Sequence, residues 1–233
     1  MSIAERWDAI ETRVAAACER SGRDRRDVTV IAVSKVHPVA AIEAAYGAGA
    51  RLFGENYVQE WLGKAEHDSL MGLRELRWAF IGRLQRNKVR HLLGRVDCIE
   101  TVDSERLARE ISRRAAERGG GFAQSVLLQV NVAGEEGKGG FDPETLQNAI
   151  PGLFALPGLA IDGLMHIPPA RPTAEESRRD HRDLAALRDR LRATTGQSLI
   201  ELSMGMSGDF EVAIEEGATR VRVGTALFGA RPV

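Results

Sequence analysis

Residues 28–35 read VTVIAVSK, an apolar run rich in Val and Ile, with charge before it and His37-Pro38 after it. A run this short, bounded by breakers, predicts a buried strand from Val28 to Ser34. Similar runs recur along the chain, giving strand candidates at 28–35, 51–55, 77–82, 97–102, 124–132, 159–167, 199–205 and 220–227. Helical patterns separate them. Leu107 and Ile111 share one helical face, and Leu184, Leu187 and Leu191 share another. Asp142-Pro143 places a capping acceptor before a first-turn proline, and Thr173 to Glu176 fits a capping box. Strands alternating with helices predict parallel βαβ units, and the 233 residues approach the roughly 250 typical of a (β/α)8 TIM barrel. A doubly wound open sheet is the alternative arrangement. Ile3, Trp7, Ile10, Val14 and Ala17 fall at helical spacing. Residues 1–22 are therefore expected to form an extra N-terminal helix packed on a single α/β barrel domain, 1–233.

Composition excludes several classes. A formal net charge of −1 lacks the basic footprint of a nucleic-acid binder. No apolar stretch is long enough to span a bilayer, and the charged, amphipathic N-terminus has no signal-peptide core. Cys18 and Cys98 lie far apart, without metal-ligand spacing, and read as buried apolar residues. The five histidines make no metal set. A soluble, cytoplasmic protein without a metal is expected.

In a barrel, chemistry gathers where the strands end. Lys35 ends the first strand, Glu55-Asn56 the second, Met165-His166 the sixth, and Gly224-Thr225 the eighth. A lysine there has two readings. It is a snorkelling surface residue, or a partly desolvated amine able to form a Schiff base with a carbonyl compound. The segments ELSMGMSGDFEVAI (201–214) and VRVGTALFG (221–229) place Gly205, Ser207, Gly208 and Gly224 in the turns after strands 7 and 8. Barrels frequently hold a phosphate there. Ser203, Ser207 and Thr225 are candidate hydroxyl donors to it; ordinary turn chemistry, with Ser207 as a helix cap, is the other reading. Strand alternation points Arg222 into the barrel and Val221 and Val223 outward. The buried guanidinium needs a partner: an ion pair with Glu55 or Glu201, or the ring nitrogen of a cofactor. The basic stretch Arg83 to Lys88 reads as an anion lure or a solvated helix start.

AVSKVHP (32–38), FGENYVQE (53–60), WAFIGRLQRNK (78–88), LLQVNVAGEEGKGGF (127–141), GLMHIP (163–168) and the stretch 202–231 together resemble the pyridoxal phosphate homeostasis protein family, in the family's order. The resemblance implies a barrel like the N-terminal domain of alanine racemase, with pyridoxal phosphate held as a Schiff base on Lys35. It implies phosphate contacts at Ser203, Ser207, Gly224 and Thr225. Arg222 becomes the partner of the ring nitrogen, and Asn56 a neighbour of the cofactor. Ala79, Arg83 and His166 depart from the family's usual residues. The family has no demonstrated reaction and is linked to vitamin B6 homeostasis.

The expected function is therefore a non-catalytic carrier or buffer of pyridoxal phosphate, monomeric or weakly dimeric, passing cofactor to pyridoxal-phosphate-dependent apoenzymes. The alternative is a small racemase, which needs a base opposite the lysine; Tyr57 and His166 are its candidates. A Schiff-base aldolase without cofactor is a third class.

Overall fold

The computed structural model describes residues 1–230; Arg231, which closes the last family-like stretch, and the end of the 1–233 span lie outside the described residues. In chain order the elements are α1 (Ile3–Arg20), β1 (Thr29–Val33), α2 (Val39–Gly47), β2 (Leu52–Glu55), α3 (Val58–Ala65), α4 (Asp68–Met71), β3 (Arg77–Phe80), α5 (Val89–Leu92), β4 (Cys98–Val102), α6 (Glu105–Arg118), β5 (Gln124–Gln129), α7 (Pro143–Phe154), β6 (Leu159–Met165), α8 (Arg178–Thr195), β7 (Glu201–Met206), α9 (Phe210–Glu215), β8 (Arg220–Val223) and α10 (Thr225–Phe228). The strands form one closed parallel barrel in sequence order. Closure comes from β8 pairing with β1, Thr29 opposite Arg220 and Ala32 opposite Val223. This is the expected barrel and not the open sheet.

The two faces of each strand do different work. Val30, Ala32, Val221 and Val223 point outward into the main core beneath the helices. Ile31 and Val33 point inward and pack with Leu52, Ala79 and Ile81 inside the barrel. Arg220 and Arg222 take the inward positions of β8, as alternation requires.

The helix α1 closes a gap in the outer layer. Among the described residues only the four-residue α10 follows β8, too little to cover the seam with β1. α1 packs there against α2, α9 and α10, burying Trp7, Ile10, Val14, Ala17 and Cys18. Its start is a capping box between Ser2 and Glu5. Two ion pairs, Arg13–Glu211 and Arg20–Glu215, tie it to α9.

Two local expectations change. The eighth strand ends at Val223 and does not run to 227, because Gly224 O accepts the N–H groups of Leu227 and Phe228 and turns the apolar run into α10. Thr173 does not cap a helix: its hydroxyl donates to the Glu176 carboxylate at 2.9 Å, and α8 starts later, at Arg178. Asp142 does cap α7, accepting from Glu144 and Thr145 N–H, each at 3.0 Å. Both cysteines are buried, and burial pushes the Cys98 thiol up to about 12, so it stays protonated.

Candidate cofactor site

At the C-terminal ends of the strands lies a cavity of about 300 Å³ whose lining includes Lys35, Asn56, Ser207, Arg222, Gly224 and Thr225. Six of the seven residues expected at a cofactor thus meet in one place. Lys35 lies two positions beyond the end of β1. Asn56 follows β2, and Gly82 makes room for it: a Cβ at Gly82 would lie 2.0 Å from the Asn56 carbonyl oxygen. The Asn56 Oδ1 atom is buried and has no hydrogen-bond donor among the described residues.

The loops after β7 and β8 are tied by one hydroxyl. Ser207 Oγ accepts from Gly224 N–H at 3.1 Å and from Ala226 N–H at 3.2 Å. It is a bridge between two loops, not a helix cap. With both lone pairs engaged, the Ser207 O–H proton remains as a donor. Gly205 makes the preceding bend possible: its φ is +89°, and a Cβ there would lie 2.5 Å from that of Ala213.

Ser203 is the exception. It is fully buried and outside the cavity lining. Its Oγ donates to Glu100 Oε2 at 2.7 Å and accepts from Arg222 Nη1 at 2.7 Å. As a direct phosphate contact it is corrected: it lies beneath Arg222 and couples that guanidinium to a buried carboxylate. Arg222 Nη2 donates to the His166 carbonyl at 2.7 Å. Neither Glu55 nor Glu201 pairs with Arg222. Glu201 pairs with Arg220, and Glu55 with Lys64. Burial lowers the Arg222 pKa, with Glu100 and Asp209 acting against it; a guanidinium keeps its proton throughout the working pH range.

The two bases nominated opposite Lys35 are elsewhere. Tyr57 is 60 % exposed and lines a neighbouring groove. His166 is buried, with Nε2 2.9 Å from His181 Nδ1, and His181 Nε2 lies 3.2 Å from Asp209 Oδ2. Burial holds His166 well below the usual imidazole range, and His181 and Arg222 add to this. Burial pushes the Asp209 carboxyl up, but His181 and the Met206 N–H together hold it below its ordinary value. The chain of contacts leaves a neutral His166 whose carbonyl orients Arg222.

Reading the sequence missed His37, Ile81 and Met206, which also line the cavity. His37 stacks on Phe228 with ring centroids 4.9 Å apart. Its place after the strand was visible in the sequence; its partner, nearly two hundred residues on, was not.

The neighbouring groove, about 830 Å³, runs past Tyr57, Arg83, Arg86, Lys88, Asp103 and Arg106. The basic stretch after β3 therefore forms one wall of a depression next to the cavity, with Asn56 common to both.

The alanine racemase N-terminal domain family model matches residues 6–232. A pyridoxal phosphate homeostasis protein of Aquifex aeolicus is 46 % identical over 231 residues, covering 99 % of both chains. The protein of that description from Pseudomonas aeruginosa is 44 % identical over 232 residues, 99 % of this chain and 96 % of its own. PipY of Synechococcus elongatus, solved with PLP bound, superposes with a TM-score of 0.84 at 40 % identity, covering 97 % of this chain and 100 % of PipY. An alanine racemase of Clostridium difficile shares the fold, with a TM-score of 0.72 at 15 % identity over 98 % of this chain and 57 % of its own. With a closed barrel, a lysine at its first strand exit and full-length relatives at this identity, the chain belongs to the pyridoxal phosphate homeostasis protein family.

Proposed function

We propose that the cavity holds pyridoxal phosphate, with Lys35 as its covalent anchor, and that the protein carries or buffers the cofactor without transforming a substrate. The observation that carries this reading is the convergence of a lysine side chain, a glycine-bearing double loop and a buried arginine on one cavity of about 300 Å³. That volume is at the small end for ligand pockets. The residues present suit the group. Asn56 Oδ1, a buried acceptor without a donor among the described residues, suits a ligand hydroxyl. Gly208 keeps its part of the cavity free of a side chain, since a Cβ there would meet nothing within 4 Å, and a Cβ at Gly224 would touch Val33 of the cavity wall at 3.5 Å. The family relatives, and PipY with PLP bound, support the same choice.

When bound, pyridoxal phosphate supplies an aldehyde that condenses with a primary amine and a pyridine ring that withdraws electrons. Lys35 offers the amine. Ser207, Gly224 and Thr225 offer the phosphate a hydroxyl proton and a surface that backbone can approach closely. Arg222 offers the ring nitrogen a donor that does not give up its proton, which keeps the electron sink weak. That choice suits storage better than carbanion chemistry. Delivery to apoenzymes by a monomer or weak dimer completes the reading.

The test is an absorbance spectrum of the purified protein, followed by borohydride reduction and peptide mapping. A visible chromophore and a pyridoxyl group on the peptide containing Lys35 are expected. No chromophore, or a label on another lysine, overturns the proposal. A racemase reading now rests on His37, an imidazole in the cavity lining. Solvent deuterium exchange at the α-carbon of an amino acid, lost in His37→Asn, would establish it; no exchange would leave the carrier.

A further inference from the structure

We propose that Lys64 is a positioning residue for Lys35. Its ammonium, clamped between Glu55 and Glu60, pins the backbone on both sides of Lys35 and so sets how the Lys35 amine enters the cavity. The inference rests on Lys35 being the anchor.

Lys64 belongs to α3 and is only 6 % exposed. Its Nζ donates to the Ser34 carbonyl at 2.8 Å, to Glu55 Oε1 at 2.7 Å and to Glu60 Oε1 at 2.6 Å. An ammonium has three N–H donors, so three acceptors saturate it. Lys64 is therefore not a solvated surface lysine.

The acceptors are what matter. Ser34 immediately precedes Lys35, and its carbonyl also takes the His37 N–H at 3.0 Å, closing a turn around Lys35 and Val36. The Ser34 hydroxyl donates to the same Glu55 oxygen at 2.7 Å. On the other side, Glu60 Oε1 accepts the Val36 N–H at 2.5 Å. Val36 has φ +61°, an outlying conformation for a β-branched residue that persists only where surroundings impose it. Lys64 thus holds the residue before Lys35 directly, and the residue after it through Glu60.

Glu55 links the pin to the barrel. It is the last residue of β2 and fully buried. Burial pushes its carboxyl up, and Lys64 and Ser34 oppose this. Its second oxygen, Oε2, has no partner among the described residues. The carboxylate therefore depends on Lys64 and Ser34, and removing the ammonium leaves Glu55 with the Ser34 hydroxyl alone and unlinks Glu60 from both.

The experiment compares wild type, Lys64→Met, Lys64→Arg and Glu60→Gln. In the unliganded proteins, competitive acetylation of Lys35 is followed against pH by mass spectrometry. In a second arm, pyridoxal phosphate capture is timed by absorbance. Lys64→Met is expected to slow capture at least tenfold and to shift the Lys35 acetylation midpoint, with Lys64→Arg recovering part of both. Glu60→Gln, at a partly exposed site, is expected to do the same by a few fold and serves if Lys64→Met does not fold. A lowered melting temperature with capture rate and acetylation profile unchanged assigns Lys64 a structural role only and overturns the inference. If wild type itself fails to capture the aldehyde at Lys35, the proposed function falls first; if only the variants match wild type, the positioning role alone falls.

Discussion

The cavity and the groove beside it on the C-terminal face share Asn56 yet are built on opposite plans. The larger, at about 830 Å³, holds more cationic side chains: Arg83, Arg86, Lys88 and Arg106 against Asp103. The side chains of Arg83, Arg86 and Arg106 are exposed and make no hydrogen bond or ion pair among the described residues. The smaller, at about 300 Å³, has Arg222, which is 5 % exposed and fixed by two hydrogen bonds of 2.7 Å. Immobilising a long side chain on binding costs about 0.5–1.5 kcal/mol. In the smaller cavity folding has already met that cost for Arg222, and Ser207 is likewise held by two amides. Pre-ordering, more than size or local charge, marks the proposed cofactor site.

Substitutions can break this contrast. The largest effect is expected from Lys35→Ala, which should remove the borohydride-fixed pyridoxyl label; a label appearing on Lys88 in the groove would erase the distinction. Next comes Arg222→Leu. It strands the buried His166 carbonyl and removes one donor from the Ser203 hydroxyl, while Glu100 keeps Arg220 and Ser203, and should cost about 1–3 kcal/mol of stability in urea unfolding. A loss under 1 kcal/mol would mean the arginine is not held as described.

Gly224→Leu addresses the cradle. Its φ of −111° is open to any residue, so the barrel should survive while cofactor retention in dialysis falls about tenfold, equivalent to about 1.4 kcal/mol. Unchanged retention would move the phosphate elsewhere. His166 adds a pH dependence. Its folded pKa lies well below the ordinary 6.5, so below that pH the unfolded chain binds a proton that the folded protein does not. Stability should therefore fall as pH drops from 6.5 towards the depressed folded value, by up to about 1.4 kcal/mol per unit. His166→Ala should flatten that part of a melting-temperature profile; an unaltered slope would assign it to other groups. The smallest effect is expected from Arg83→Gln with Arg86→Gln. Stability should move by under about 0.5 kcal/mol, and cofactor retention by less than twofold.

Much of this is legible in the sequence. The alternation of Val30, Ile31, Ala32 and Val33, and of Val221, Arg222 and Val223, assigns barrel faces from a period of two. The exit position of Lys35 follows from where its apolar run stops. Such features are local, and the backbone's own periodicity enforces them. Ser203 and Ser207 show the limit. They lie four residues apart and look equivalent in the sequence, but the register of β7 against β8 shifts between Ser203–Arg220 and Met206–Arg222. That shift helps leave Ser203 buried beneath Arg222 and Ser207 at the rim.

Face, then, is a property of the chain, since it needs only the pleat. Depth along the barrel axis, and the partners found across it, such as Ser203 with Glu100 or Lys64 with the Ser34 carbonyl, were decided only in the tertiary structure. They depend on the stagger of all the strands closing on one another, and no single segment carries that information.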